Sequence, residues 1–140
     1  MSFNAKRNDV QAFVEGVWRP IMGGQFRIAR AGNPEYEKAL EESGYRKMDD
    51  PQDRHRAFLT AMAKGIVKDW DEVVDDQGEA IPYSVDHGVE VLDENPDLVA
   101  AILEEARNMS NYRRADVEDQ AKKPAASSGG KQSGKATDGA

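Results

Sequence analysis

The chain has 140 residues, of which 39% are hydrophobic and 32% are charged, so a single domain with a small core is expected. Cysteine is absent, which excludes disulfides and thiolate chemistry and fits a cytosolic protein. The first residues lack the apolar core of a secretory signal, and no apolar run is long enough to cross a bilayer, so we expect no membrane association.

The net charge of −7 is unevenly distributed along the chain. Residues 69–121 contain 16 acidic and three basic residues, whereas residues 1–68 and 122–140 each carry a small positive excess. Because an acidic surface repels phosphate backbones, nucleic-acid binding is not expected. The charge favours a protein partner with a basic face.

A β-hairpin is predicted near the start of the chain. Residues 1–9 have no regular pattern and are expected to be flexible, and the folded domain is expected over residues 10–121. Residues 10–21 and 25–31 alternate between apolar and polar positions. The glycines at the turn, residues 22–25, adopt positive φ without steric cost, which favours a tight connection between the two strands.

Two helices follow, each introduced by a capping side chain and a proline, a combination typical of helix starts. The first begins at Asn33 and ends near Gly44. The second begins at Asp50 and has apolar residues at every fourth position, which predicts a helix from about residue 51 to residue 72. Its apolar stripe consists of Phe58, Met62, Ile66 and Trp70, flanked by Leu59, Ala63 and Val67.

Two more helices complete the predicted domain. Ser84 is expected to cap a short helix that ends near Asn95, and the last helix starts at Pro96 and has an apolar stripe reaching Met109. Residues 122–140, rich in Gly, Ser, Ala and Lys, are expected to be disordered because they cannot bury enough surface to offset their ordering entropy. The predicted fold class is therefore mostly α with a small N-terminal β-hairpin.

The acidic stretch WDEVVDDQGEAIPYSVDHGVEVL, residues 70–92, superficially resembles a calcium loop. If Gly78 took position 6 of an EF-hand, positions 1 and 12 would be Val73 and Ser84, which are not suitable ligands there. We therefore interpret Asp75, Asp76 and Gly78 as an exposed turn, and expect no metal.

Catalytic and cofactor sites are not indicated either. His55 and His87 lie on different predicted helices, and Ser84 is better explained as a helix cap than as a nucleophile. An acidic pair acting as acid and base is a remote option, because carboxylates are plentiful and nothing singles out one pair. The protein is not expected to be an enzyme or to bind a cofactor.

Large amphipathic side chains are the candidates for contact with a protein partner, because such residues dominate interfaces. Each of them is equally compatible with a place in the core. The candidates are Trp18, Phe26, Trp70, Tyr83 and Tyr112.

Four segments in fixed order resemble the tail assembly chaperones of long-tailed bacteriophages, over about residues 13–118. They are GVWRPIMGGQFRIARAGNPEYEKAL (16–40), IVKDWDEV (66–73), DDQGEAIPYSVDHGVEVL (75–92) and NPDLVAAILEEARNMSNYR (95–113). The resemblance implies a non-catalytic protein of the host cell cytoplasm that is missing from the mature virion. Its implied partners are the tape-measure protein, which it keeps soluble, and the major tail tube protein.

Members of that family often have a longer product made by ribosomal frameshifting, so Gly130-Lys131 and Gly134-Lys135 are candidate slippage positions. The alternative function is a structural tail or head–tail connector subunit that pairs with its neighbours through the hairpin. Self-association is open under either function.

Overall fold

The computed structural model describes residues 1–121, and within them a three-stranded antiparallel sheet is packed against helices. The helices are α1 (Ala12–Glu15), α2 (Pro34–Glu42), α3 (Pro51–Gly65), α4 (Val85–Glu94), α5 (Pro96–Arg107) and α6 (Arg114–Ala121). The strands are β1 (Val17–Ile21), β2 (Gly24–Ile28) and β3 (Val67–Asp71), and 3-10 turns lie at Tyr45–Lys47 and Met109–Tyr112. The predicted fold class is confirmed, with one additional strand; the tail predicted to be disordered, residues 122–140, and the candidate slippage positions lie outside the described residues.

The predicted hairpin is confirmed, with shorter strands than expected. β1 and β2 pair from Val17–Ile28 to Ile21–Gly24. Met22 and Gly23 form the two-residue connection, with φ values of 52° and 89°. Positive φ at both positions is the geometry of a turn whose twist matches that of the strands, so the pairing continues up to the turn.

The N-terminal part of the predicted first strand is wrong, because residues 12–15 form the helix α1. The carboxylate of Asp9 accepts hydrogen bonds from the backbone N–H groups of Gln11 and Ala12, at 3.0 and 3.2 Å. Gly16, with φ of 89°, then turns the chain into β1. These local hydrogen bonds stabilise a helical turn, which the alternation of apolar and polar residues did not indicate.

The predicted helix over residues 51–72 is also wrong in its last third. α3 ends at Gly65, and β3 pairs with β2. The pairing is irregular beside Ile28, where Lys68 is an extra residue on β3, which is a β-bulge. Because of the bulge, Val67 and Trp70 both point toward the core. Their spacing of three residues is typical of a helix, although both lie on a strand.

Close packing between α2 and α3 explains why α3 ends at Gly65. The buried Asn33 caps α2 by accepting hydrogen bonds from the N–H groups of Glu35 and Tyr36, and its amide donates to the Gly65 carbonyl at 2.8 Å. A Cβ at position 65 would overlap the backbone of Tyr36. One side chain therefore starts one helix and fixes the end of another.

The last two predicted helices are confirmed at their starts. Ser84 caps α4 by accepting a hydrogen bond from the His87 N–H at 3.0 Å. α5 ends at Arg107, earlier than its apolar stripe suggested, because Asn108 leaves helical geometry and its side chain accepts from the Ser110 N–H. α5 is tied to β1 by a 2.9 Å ion pair between Arg19 and Glu105.

Most of the buried hydrophobic side chains fall in two clusters. The larger lies between the sheet and helices α3, α4 and α5, and includes Phe26, Ile28, Leu59, Met62, Ile66, Trp70, Leu92 and Ile102. The smaller lies at the start of β1 and consists of Ala12, Val17, Tyr112 and Val117, with Phe13 packed against it.

A candidate partner-binding groove

A surface groove of about 540 Å³ lies at the turn end of the hairpin. Its walls are the hairpin at Met22 and Gly24, the loop over residues 72–81 and the junction of α4 with α5. The buried side chains of Ile21, Phe26 and Leu98 form its floor. Met22 and Val74 stand at its rim, 66% and 52% exposed.

Residues 72–81, named here the acidic loop, form an ordered wall of the groove. Val73 and Ile81 are joined by a 2.8 Å backbone hydrogen bond, and Asp75 and Glu79 by one of 2.9 Å. The Asp75 carboxylate accepts from the backbone N–H groups of Gln77 and Glu79, both at 2.9 Å. The loop is therefore a closed turn stabilised by its own aspartate, and the predicted exposure of Asp75, Asp76 and Gly78 is confirmed.

The described residues contain no group of three or more His, Cys, Asp or Glu side chains placed to hold a metal ion. Each of the two histidines contacts a nearby residue of the domain. His55 lies 3.7 Å from Asp93 across the exposed surfaces of α3 and α4, and the Nδ1 of His87 lies 2.7 Å from the Pro82 carbonyl oxygen. Neither imidazole lines the groove.

Three aromatic rings support the groove from below. Trp70 meets Phe26 edge-on at 6.2 Å and Tyr83 edge-on at 4.9 Å between ring centroids. The indole N–H of Trp70 donates to the Ile81 carbonyl at 2.7 Å, which holds the acidic loop against the sheet. Edge-to-face packing of this kind stabilises a cluster beyond the area that it buries.

Tyr83 also joins the groove to the end of α3. Its hydroxyl lies within hydrogen-bonding distance of the Ala63 and Val67 carbonyls. Burial, with a smaller contribution from the Asp69 charge, raises the pKa of the Tyr83 hydroxyl above its ordinary value. The hydroxyl therefore stays neutral and available as a donor to these carbonyls.

Carboxylates surround the apolar floor of the groove. Among the described residues that line it, the ionisable side chains are Glu72, Asp75, Asp76 and Glu94. Asp76 and Glu94 are exposed, on opposite walls of the groove. A concave surface lined by one sign of charge concentrates the opposite charge, so this groove attracts cations.

The five aromatic contact candidates do not share one surface. Phe26, Trp70 and Tyr83 form the cluster below the groove, whereas Tyr112 lies in the second core cluster at the start of β1. Trp18, Phe26, Trp70 and Tyr112 are each no more than 7% exposed, and Tyr83 is half-buried. Phe26 alone of the five lines the groove directly.

Sequence reasoning missed the side chains that present the groove to solvent, Met22 and Val74. The signal for Met22 was available, since a methionine at a tight turn between strands is poorly placed to be buried. Val74 lies next to a run of carboxylates, which indicates exposure, but only the fold shows that it faces the hairpin turn.

Within the described residues, no helix combines the length and apolar character needed to span a membrane. Residues 25–123 match the family model described as YdaY prophage protein, which covers more than two thirds of the chain. No curated protein and no solved structure matches the chain. The matched region includes β2 except its first residue, the acidic loop and all of α2 to α5, so it contains most of the groove. The chain is therefore phage-derived and belongs to the YdaY prophage protein family.

Proposed function

We propose that this protein is a non-catalytic tail assembly chaperone whose groove binds an amphipathic helix of the tape-measure protein. Membership of a prophage family supports the phage setting. The resemblance of four ordered segments to tail assembly chaperones supports the specific role. In this proposal the protein acts in the host cytoplasm, helps to recruit the tail tube protein and is absent from the mature virion.

The groove has the properties that a helical client requires. An amphipathic helix presents apolar side chains at i, i+3, i+4 and i+7, and such a stripe binds in an apolar channel. The floor of Ile21, Phe26 and Leu98 supplies that channel. The rim carboxylates favour a helix whose apolar stripe is flanked by Lys or Arg, since complementary charge sets specificity and association rate.

The proposal is supported mainly by one observation. The exposed apolar side chains of Met22 and Val74 lie beside carboxylates at the mouth of a groove whose floor belongs to the main core. Contiguous apolar surface with a polar rim marks interaction sites on soluble proteins.

Co-expression with the tape-measure protein of the same prophage tests the proposal. We expect the client to move from the insoluble to the soluble fraction and to copurify with this chain. The groove variant, Asp76→Lys with Glu94→Lys, should lose most of the copurified client. The control variant, Glu41→Lys with Glu42→Lys, changes the net charge equally on the exposed end of α2 and should keep it.

A client that is equally insoluble with and without this chain contradicts the chaperone proposal. Equal loss of client with the groove and control variants contradicts the assignment to the groove, because it shows that overall charge, rather than this site, matters.

The alternative, a structural tail or connector subunit, requires pairing between neighbouring hairpins. β1 is an edge strand of the described sheet, which favours this alternative. However, Pro20 lies within β1. Proline has no backbone N–H to donate to a neighbouring strand, so it disfavours pairing at this edge of the sheet. Mass spectrometry of purified particles separates the two functions: a subunit is present in stoichiometric amounts, whereas the chaperone is missing.

A further inference from the structure

The large hydrophobic side chains that are exposed in the described residues fall in two separate places. One is the groove rim, with Met22 and Val74. The other is the N-terminal segment, with Phe3 at 73% and Val10 at 67% exposure, together with Met1. Two exposed apolar patches on one small domain indicate two contact surfaces.

The second patch carries the charge opposite to that of the groove. Lys6, Arg7, Arg113 and Arg114 meet there, against two carboxylates, Asp116 and Asp9, of which Asp9 is hydrogen-bonded to the start of α1. We name this surface, residues 3–10 with residues 113–116, the basic end. The Arg7 guanidinium lies 4.8 Å from the centroid of the Phe3 ring, so cation and apolar ring are presented together.

The basic end is held to the domain by backbone contacts. The Arg114 N–H donates to the Arg7 carbonyl at 2.8 Å, and the Asp9 N–H donates to the Tyr112 carbonyl at 2.8 Å. Asn8 and Arg113 form an isolated antiparallel bridge. The patch is therefore fixed relative to the fold, which lowers the entropic cost of docking it.

The groove and the basic end lie at opposite ends of the sheet. Ile21 at one end of β1 lines the groove, whereas Val17 at the other end packs with Tyr112, next to the basic end. The four residue steps from Val17 to Ile21 separate these ends by about 13 Å. α5 runs between the same two ends. Leu98, near its start, lines the groove. The carbonyl of Ala106, near its end, accepts a hydrogen bond from the Ala31 N–H, which follows the end of β2 that pairs with Val17.

We propose that the basic end of one copy docks in the acidic groove of a second copy, so that the protein associates head to tail. Phe3 supplies the apolar group for the floor, and Lys6 and Arg7 face the rim carboxylates Asp76 and Glu94. Because the two surfaces differ, the contact is heterologous and continues from copy to copy until a ring closes or a chain grows.

The same contact regulates the client site. A neighbouring copy that fills the groove shields its apolar floor until a helical client displaces it; this displacement step rests on the proposed chaperone function. The head-to-tail contact itself does not depend on the client, so the two ideas are tested separately.

Sedimentation of charge-reversed variants tests the contact. The basic-end variant, Lys6→Glu with Arg7→Glu, retains a native groove, and the groove variant retains a native basic end. Each alone should sediment as a monomer, because its end and its groove then no longer carry opposite charge. Mixed in equal amounts, they should associate again, because the native basic end of one variant then meets the native groove of the other.

The wild-type chain should form larger species that increase with protein concentration at about 0.1 M salt and diminish at about 1 M salt, as the Debye length falls from about 10 to about 3 Å. The Glu41→Lys, Glu42→Lys control should behave as wild type. Phe3→Ser should weaken association without changing the charge.

A wild-type chain that stays monomeric at low salt overturns the contact, as does a variant mixture that stays monomeric. Association that survives both charge reversals also overturns it, because the copies then meet through another surface. Solubilisation of the client by the monomeric basic-end variant would uphold the chaperone function whatever the outcome for self-association.

Discussion

The two ends of the sheet use aromatic residues in different ways. At the start of β1, Tyr112 is fully buried, donates to the Ile28 carbonyl at 3.1 Å and meets the Phe13 ring edge-on. At the turn end, Phe26 and Trp70 are buried too, but they support a groove that opens to solvent. The first end closes the core, and the second end uses the core as the floor of the groove.

This difference separates stability from binding. Side chains of the closed end should affect folding and leave the groove intact. Rim side chains should affect client contact and leave stability almost unchanged. Substitutions at the two ends test that separation, from the largest expected effect on the free energy of unfolding to the smallest.

Tyr112→Ala should have the largest effect, lowering the free energy of unfolding by about 3–5 kcal/mol, because it removes a buried ring and leaves a cavity. Tyr112→Phe keeps the ring and loses only the hydrogen bond to Ile28, so we expect a cost of about 1 kcal/mol. Urea unfolding followed by tryptophan fluorescence measures both. Equal costs for the two changes would contradict the packing of this ring.

Gly65→Ala should lower the free energy of unfolding by about 1–3 kcal/mol, because the new Cβ overlaps the Tyr36 backbone and forces α2 away from α3. Lys64→Ala, one residue earlier and exposed, is the matched control and should lie within about 0.5 kcal/mol of wild type. A neutral Gly65→Ala would show that the two helices are not in close contact.

High pH should destabilise the protein through its buried tyrosines. Burial raises the pKa of the Tyr83 and Tyr112 hydroxyls above the ordinary value of 10.0, so above pH 10 the unfolded state loses these protons before the folded state does. Their contribution to stability is complete below about pH 10 and is lost as pH rises through the folded-state pKa.

Unfolding curves between neutral pH and about pH 11 should show this decline, and Tyr83→Phe or Tyr112→Phe should each make it shallower. A decline that is the same in both variants and in wild type would rule out these hydroxyls as its cause.

Val74→Ser should have the smallest effect on stability, within about 0.5 kcal/mol of wild type, because its side chain is 52% exposed. It should nevertheless reduce the amount of client that copurifies, since Val74 stands at the groove rim. Unchanged client binding, with the groove variant also unchanged, would place the binding site elsewhere.

The parts of the fold set by short-range chemistry were predictable from the sequence. Asn33 and Ser84 cap the helices that they were expected to cap, and the glycine-containing turn joins β1 to β2. Each of these features depends on hydrogen bonds or φ angles within a few residues, so the residue types at those positions are enough to predict it.

The errors arose where distant parts of the chain decide the local structure. Trp70 continues the apolar spacing of α3 but lies on β3, because β2 offers an edge for pairing and a bulge at Lys68 restores the inward direction. The groove was not predictable for the same reason. It joins the hairpin turn to the acidic loop and to the α4–α5 junction, which are far apart in sequence and meet only in the folded domain.

Site-specific photo-crosslinking to the client tests the central claim most directly. A photoreactive phenylalanine analogue replaces Val74 at the groove rim or, as a control, Lys38 on the exposed surface of α2. On irradiation in cells that also make the tape-measure protein, position 74 should capture that protein at an amphipathic segment with basic flanks, and position 38 should not. Capture at position 38 but not at position 74 would contradict the assignment of the groove as the client site.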